Sequence, residues 1–304
     1  MYTLLRLAAS IVPRLPRWSI PLLSSAIGSI AWLVARSARK QATINMTHVL
    51  NGMGYERRDT VVQDGSHPGR SPTLRKMVRG MFRNNVRNYL EALTLPYIQE
   101  ETIVKNVQAE GIEHLEAALA RGKGVLLFSA HFGPFDYLSQ WIVAKGYQLT
   151  IPVEHLKDQR ILDLLLRLRR SHGVQYVPLT GNSTMRKMLS ALRSNQIVLI
   201  TADRVVQGES VEVPFFGATA RLPKGPAQLA QRTGAALVGA FGWRTSPTSE
   251  FPMEGKFVPL SLPFPEEQRT NIDTLMGGIV ETLEQIIGAH PDQWVVFSPV
   301  WTDG

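Results

Sequence analysis

The sequence predicts an α/β protein with a mainly parallel central sheet flanked by helices. From Ile112 onward, short apolar runs alternate with segments whose apolar residues recur at the helical period. Glycine, proline and polar residues border the runs, as they border buried strands. When strands alternate with helices along a chain, each helix returns the chain to the same edge, so the strands run parallel. With 304 residues, 44% of them hydrophobic, the chain is long enough to bury a large core.

The first 39 residues are apolar, with basic residues interspersed. No residue between Arg17 and Arg36 is charged, and Trp18 and Trp32 lie near the ends of this run. A run of about 18 residues is the lower limit for crossing a bilayer, and proline, glycine and serine dilute this one. Because tryptophan favours membrane interfaces, we expect membrane-associated helices that form a monotopic or shallow anchor. A buried helical hairpin is the alternative, and a signal peptide is less favoured because no clear cleavage site follows.

Composition divides the chain into three parts. Residues 1–50 are predicted to be N-terminal membrane-associating helices. Residues 51–73 are polar and rich in glycine, proline, aspartate and arginine, which predicts a loop. Residues 74–304 are predicted to form the α/β domain.

An amphipathic helix is predicted from Leu74 to Leu93, because its apolar residues recur every 3.6 positions. Another face of this helix carries an arginine at every fourth position: Arg75, Arg79, Arg83 and Arg87. Such a row is either a solvated face or a basic track for anionic lipid or a carrier protein. The net charge of +8 favours an anionic partner: a membrane surface, phosphorylated lipid, an acidic carrier protein or nucleic acid.

Local composition predicts the elements of the α/β domain. Apolar runs predict strands over Val125 to Phe128, Gln148 to Pro152, Val174 to Val177, Gln196 to Ala202, Ala236 to Phe241 and Lys256 to Leu260. Periodic segments, two of them with proline in the first turn, predict helices over Ile112 to Ala120, Pro134 to about Lys145, Asp158 to Ser171, Ser183 to Arg193, Pro226 to Thr233 and Ile272 to Ile287. Asn182 or Ser183 is the expected N-cap of the fourth helix. A turn that contains Gly208 leads to the extended segment VEVPFFG.

The stretch GVLLFSAHFGPFD, Gly124 to Asp136, contains the leading candidate site. His131 lies at the C-terminal edge of a predicted strand, where open α/β sheets hold ligands. Gly133-Pro134 then opens a helix, and Asp136 lies in its first turns, from which we expect the carboxylate to reach back to the ring. The alternative is a structural histidine with no catalytic role.

The sequence excludes several kinds of active site. It has no cysteine, so disulfides, a thiolate nucleophile and cysteine-based metal sites are excluded. A nucleotide-type phosphate loop, HExxH and Gly-x-Ser-x-Gly are also missing. A histidine–acid pair without a nucleophile suits general-base catalysis, in which a bound hydroxyl loses its proton and attacks an activated acyl group. Other strand-end candidates are Glu154, Arg169 or Arg170, Asp203, Arg204 and Glu212.

From about Gly111 to Trp301 the sequence resembles the lysophospholipid and lipid A acyltransferase superfamily. HFGPFD matches the His-x4-Asp/Glu motif of these proteins, and Ala202 to Phe241 matches a longer signature that contains VEVPFFG, GPAQLA and TGA. PDQWVVF matches their terminal Pro-x-x-Trp block. The closest resemblance is to bacterial lauroyl/myristoyl acyltransferases and mycobacterial phosphatidylinositol mannoside acyltransferases.

This resemblance implies a glycerolipid acyltransferase-like α/β/α domain over residues 74–304 and roles for particular residues. The implied catalytic residues are the dyad His131 and Asp136, with Glu212, whose alternative is an outward-facing strand residue. The implied substrate-binding residues are Glu154, Arg169 or Arg170, Asp203 and Arg204. No metal and no cofactor are expected, and acyl-CoA or acyl carrier protein is the expected co-substrate.

The expected function is therefore acyl transfer to a hydroxyl of a membrane glycolipid at the cytoplasmic face of the plasma (inner) membrane. The Glu-Gly-Thr-Arg block of glycerol-3-phosphate enzymes is missing, as is the tryptophan–arginine tail of lipid A enzymes, and both departures favour a mannoside-type acceptor. A late lipid A acyltransferase and an acyl thioesterase are the enzymatic alternatives. A basic peripheral protein that binds lipid or nucleic acid is the non-enzymatic alternative, although we expect no nucleic-acid partner.

Overall fold

The computed structural model describes residues 2–54, 72–154, 158–246, 253–260 and 271–302. Most of the predicted polar loop, residues 55–71, lies outside the described residues. The described helices are α1 Tyr2–Ile11, α2 Ser19–Val34, α3 Arg36–Gly52, α4 Pro72–Thr94, α5 Glu100–Lys105, α6 Ile112–Ala120, α7 Phe135–Ala144, α8 Gln159–Arg169, α9 Asn182–Arg193, α10 Gly225–Thr233 and α11 Ile272–Ala289. The described strands are β1 Val107–Glu110, β2 Val125–Ser129, β3 Leu149–Val153, β4 Gln175–Pro178, β5 Ile197–Thr201, β6 Ser210–Phe215, β7 Ala218–Pro223, β8 Ala236–Arg244 and β9 Met253–Pro259.

The described part of the chain forms a seven-stranded sheet in the order β1-β9-β8-β2-β5-β3-β4. Every neighbouring pair is parallel except β8 and β9, which are antiparallel. The prediction of a mainly parallel α/β sheet flanked by helices is therefore confirmed. Strand β1 was not predicted, and VEVPFFG belongs to a separate antiparallel hairpin of β6 and β7.

The sheet separates two hydrophobic cores. Leu126 and Phe128 of β2 pack into one core, whereas Val125 and Leu127 pack into the other. This alternation is the two-residue period of a strand with both faces covered. Helix α3 contributes side chains such as Met46 to the first core, so this part of the N-terminal region packs with the α/β domain.

Helices α1 and α2 leave large apolar side chains in solvent. The exposed residues include Leu4 and Leu7 of α1, Trp18 between the two helices, and Leu22, Ile30 and Leu33 of α2. Helix α2 packs closely on α4, as the position of Gly28 shows. A Cβ there would lie 2.7 Å from the Arg83 Cα. Within the described ranges, no helix alone has both the length and the apolar character to cross a membrane. Helices α2 and α3 meet that requirement only as a pair, and the chain bends by 98° between them.

The register of two central strands positions the candidate site. Ser129 of β2 lies opposite Thr201 of β5 in a parallel pair. His131 and Asp203 each follow two residues later, so the topology places them together at the C-terminal edge of the sheet. This is the edge at which an open α/β sheet binds its ligands.

Candidate active site

The His131 side chain is hydrogen-bonded to Asp203. Its Nδ1 lies 2.9 Å from Asp203 Oδ1, and the His131 backbone N–H donates to Asp203 Oδ2 over 2.8 Å. Because a carboxylate only accepts hydrogen bonds, the neutral ring carries its proton on Nδ1 and presents Nε2 as the base. The Asp203 side chain is fully buried, whereas 23% of the His131 side chain is exposed. A substrate can therefore reach the ring, while its partner is shielded from water.

Trp294 completes the set of hydrogen bonds to Asp203. Its indole Nε1–H donates to Asp203 Oδ2 over 2.8 Å. Burial by itself raises the pKa of Asp203, but the charge of His131 and the hydrogen bonds from His131 and Trp294 outweigh it. The pKa of Asp203 consequently lies below its usual value, and the carboxylate is ionised at neutral pH.

Asp136 does not bond to the His131 ring, and this corrects the expected contact within the His-x4-Asp motif. Asp136 Oδ2 accepts hydrogen bonds from Arg169, at 2.9 Å from Nη2 and 3.1 Å from Nε. Both side chains are largely buried. Asp136 lies in the first turn of α7 and Arg169 is the last residue of α8, so the ion pair ties two helices together beside the loop of His131. The motif therefore supplies the histidine, and the acid that contacts it comes from a different strand.

Two further predicted residues meet at the same edge of the sheet. Arg204 Nη2 lies 3.0 Å from Glu154 Oε2, and these residues follow β5 and β3, which are neighbours in the sheet. The Glu154 side chain is 47% exposed and that of Arg204 is 24% exposed. The structure thus brings Glu154 and Arg204 together as an ion pair that solvent can reach, next in sequence to Asp203.

The remaining two predicted residues have other partners. Glu212 pairs across the β6–β7 hairpin with Arg221, at 3.0 Å, and both side chains are more than half exposed. Arg170 donates from Nη2 to the backbone oxygen of Tyr176 over 2.9 Å. Among the described residues, no hydrogen bond or ion pair joins Glu212 or Arg170 to His131.

The loop that carries His131 requires a glycine. Gly133 has φ = +54°, which lies in the left-handed region that L side chains rarely adopt. A Cβ at this position would also collide with the backbone oxygen of Gly242 in β8. Glycine is the residue that satisfies both constraints, and it lets the chain turn from β2 into α7 close to β8.

A buried charge cluster that the sequence analysis missed supports the segment before Trp294. Arg244, at the end of β8, donates to Glu91 Oε2 over 2.5 Å and to Asn88 Oδ1 over 2.7 Å, and Arg87 donates to Glu91 over 2.6 Å. The backbone N–H of Arg244 donates to Gln293 Oε1, and Gln293 Nε2 donates back to the Arg244 oxygen, both over 2.9 Å. Arg87 is buried here and so does not belong to the exposed row expected on α4. In the sequence Arg87 falls in the row of arginines, so no local pattern marks it as buried.

Comparison with known proteins decides the family. The sequence profile of the bacterial lipid A biosynthesis acyltransferases matches residues 4–303. The chain belongs to this family. It is 31% identical over 221 residues to a phosphatidylinositol mannoside acyltransferase of Mycobacterium tuberculosis, covering 71% of this chain and 67% of the relative. It is 27% identical over 234 residues to the Mycolicibacterium smegmatis protein of the same name, covering 74% and 72%.

Membership of the lipid A biosynthesis acyltransferase family confirms the resemblance carried by HFGPFD and VEVPFFG. The protein is an acyltransferase of lipid biosynthesis. Because the family and the relatives are named as acyltransferases, the match decides against the non-enzymatic alternative. The family match also covers His131, Asp203 and Trp294.

Proposed function

We propose that this acyltransferase moves a fatty acyl chain from a thioester donor, acyl-CoA or acyl carrier protein, to a hydroxyl of a glycolipid. His131 is the general base, and Asp203 orients it. The observation that carries this proposal is the His131 ring, held through Nδ1 by a buried carboxylate while 23% of its side chain is exposed. The relatives named phosphatidylinositol mannoside acyltransferase support a glycolipid acceptor.

The proposed reaction is a direct transfer. His131 Nε2 takes the proton of the acceptor hydroxyl as the oxygen attacks the thioester carbonyl carbon. Asp203 stabilises the imidazolium that forms. Backbone N–H groups at the start of α7 and the Arg169 guanidinium are the proposed donors to the developing oxyanion. When the carbon–sulfur bond breaks, the imidazolium returns its proton to the thiolate, which leaves as a free thiol, and the ester product remains.

Asp136 has a supporting role in this proposal. Its carboxylate neutralises Arg169 and fixes the position of that guanidinium, so Asp136 acts through Arg169 rather than through His131. Glu154 and Arg204 are proposed to contact the acceptor headgroup, since both are partly exposed at the edge that carries His131. A catalytic role of Glu212 stays a prediction from the resemblance, and it requires the ion pair with Arg221 to open.

We also propose that the enzyme binds an anionic membrane surface through α1 and α2. The exposed apolar face on these helices includes Leu4, Leu22 and Leu33, each more than half exposed. Exposed arginines flank it, among them Arg6, Arg14, Arg17 and Arg36. An apolar face bordered by arginine favours the headgroup region of a bilayer that contains anionic lipid. This arrangement lets the acceptor keep its acyl chains in the membrane, and the inner membrane is the proposed location.

The test is acyl transfer by the purified protein with labelled acyl-CoA and acyl carrier protein as donors. The acceptors are a phosphatidylinositol mannoside and a lipid A precursor. Buffer without lipid is the control without acceptor. Labelled mannoside as the main product supports the proposal. Labelled lipid A precursor favours a late lipid A enzyme, and free fatty acid released at the same rate with and without acceptor favours a thioesterase. Either of these results overturns the proposed acceptor.

A further inference from the structure

We infer that Trp294 is a positioning residue of the active site, whose indole N–H fixes the carboxylate of Asp203 relative to the rest of the protein. The inference rests on the proposed function, in which Asp203 orients His131. Trp294 is not a member of the His-x4-Asp motif, and it reaches the site from the segment that follows the last helix, α11.

The set of donors to Asp203 gives the first argument. The carboxylate accepts three hydrogen bonds, of which two come from His131 and one comes from Trp294. The two bonds from His131 tie the carboxylate to the residue that it orients, so they do not connect it to any other part of the protein. Among the described residues, Trp294 is the one donor to Asp203 that does not belong to His131. Its N–H also occupies Oδ2, so Oδ1 remains turned toward the ring.

The rigidity of Trp294 gives the second argument. Its side chain is 0% exposed and packs edge-on against Phe215 and Trp301, with ring centroids 6.3 and 6.1 Å away. Edge-to-face packing of this kind fixes the plane of an indole ring. The indole N–H is therefore aimed by the hydrophobic core and not by the site itself.

The backbone around Trp294 gives the third argument. The Gly133 N–H donates to the Gln293 oxygen over 2.9 Å, and the Val295 N–H donates to the His131 oxygen over 2.8 Å. One short segment thus holds the loop of His131 through its backbone and holds Asp203 through the side chain of Trp294. His131 and Asp203 are therefore both positioned by residues 293–295.

Trp294→Phe tests the inference, because phenylalanine keeps an aromatic ring and removes the N–H. We expect kcat to fall about tenfold to a hundredfold with an unchanged KM, as is typical when a group behind an active-site residue is lost. Without this donor the pKa of Asp203 rises, so Asp203 loses its charge at a higher pH as the solution is acidified. We therefore expect the acid limb of the kcat profile to move to higher pH. In the Asp203→Asn background the same substitution is expected to have little further effect on kcat.

Trp301→Phe is the matched control. Trp301 is also buried and its indole donates to a backbone oxygen, that of Phe215, over 2.9 Å. Phenylalanine keeps an aromatic ring to pack against Trp294, so this substitution is expected to lower stability without moving the pH profile. If Trp294→Phe keeps the wild-type kcat and pH profile, or changes them only as Trp301→Phe does, the inference is wrong.

A second measurement separates this inference from the proposed function. The six tryptophans give indole N–H signals in a ¹H–¹⁵N spectrum, and the signal lost in Trp294→Phe identifies that residue. We expect this signal to shift in Asp203→Asn while the Trp301 signal stays in place. An unshifted Trp294 signal contradicts the hydrogen bond whatever the activity. A shifted signal in a protein that transfers no acyl group leaves the contact intact and overturns the proposed function.

Discussion

Asp203 binds both the side chain and the backbone of His131, through one oxygen each. The two residues are 72 positions apart in the chain, and the parallel pairing of β2 with β5 brings them together. A bond to the backbone as well as to the ring fixes the imidazole in one orientation. This pair, rather than the spacing within HFGPFD, defines the geometry of the candidate active site.

Asp203→Asn is expected to lower kcat at least a hundredfold with little change in KM, because the amide neither orients nor stabilises the imidazolium. Asp136→Asn is the matched comparison, since it makes the same change at the acid of the His-x4-Asp motif. We expect Asp136→Asn to lower kcat less than Asp203→Asn, because Asp136 acts through Arg169. Steady-state kinetics of both variants at pH 7 give the comparison.

A larger loss of kcat in Asp136→Asn than in Asp203→Asn contradicts the assignment of Asp203 as the partner of His131. Circular dichroism and a urea titration of each variant show whether a loss of activity arises from unfolding.

Gly133→Ala is expected to displace the loop of His131, because a Cβ there collides with the Gly242 oxygen and the residue has φ = +54°. We expect a loss of about 2 kcal/mol in the free energy of unfolding and at least a tenfold loss of kcat. Gly217→Ala is the control, since Gly217 also has a positive φ but a Cβ there meets no atom within 4 Å. If Gly133→Ala and Gly217→Ala lose the same activity, the loss does not arise from the collision with Gly242 in β8, and this prediction is wrong.

Glu91→Gln is expected to lower the free energy of unfolding by about 3 kcal/mol at pH 7, because it leaves Arg244 and Arg87 without their anion. Burial raises the pKa of Glu91, but the two arginines outweigh it and hold the pKa below its usual value. The stabilisation is therefore present above the unfolded-state pKa and is lost as the pH falls through the folded-state pKa.

The measurement is urea unfolding of the wild type and Glu91→Gln from pH 7 down to about pH 3, which extends below the ordinary pKa of glutamate. The difference in free energy of unfolding between the two proteins should shrink as the pH approaches about 3. Glu113→Gln, at an exposed position of α6, is the control and should show no difference. If the difference in free energy of unfolding between the wild type and Glu91→Gln grows as the pH falls, the prediction is wrong.

Leu22→Asp combined with Leu33→Asp is expected to weaken binding to vesicles of anionic phospholipid about a hundredfold, because both side chains are exposed on the proposed membrane face. Met185→Asp, at an exposed position of α9, is the control and should bind as the wild type does. Flotation with the vesicles measures the bound fraction, and added salt should weaken binding of the wild type. Equal binding by all three proteins contradicts the proposed face.

The sequence predicted most elements of the sheet, because buried parallel strands and amphipathic helices have strong local patterns. It also placed His131 and Asp203 at strand ends. It did not predict that they bond, since strand order is not a local property and Asp136 was the nearer acid. Local geometry also differed at the start of α9, where Gly181 is the N-cap rather than Asn182 or Ser183.

The contacts of Trp294 and Arg244 were beyond prediction for a related reason. Each joins segments that are distant in the chain, 91 positions for Trp294 to Asp203 and 153 for Arg244 to Glu91. A buried charge also looks like a solvated one in sequence, so the row of arginines predicts that Arg87 is exposed. The fold decides which polar residues of a helix turn inward.

The most direct test of the account is the rate of acyl transfer by His131→Ala, with labelled acyl-CoA and a phosphatidylinositol mannoside as substrates. The ring is partly exposed, so the variant is expected to fold, which circular dichroism verifies. The account predicts a loss of kcat of about a thousandfold or more, since the base that activates the hydroxyl is gone. Transfer by His131→Ala within tenfold of the wild-type rate would contradict the central claim.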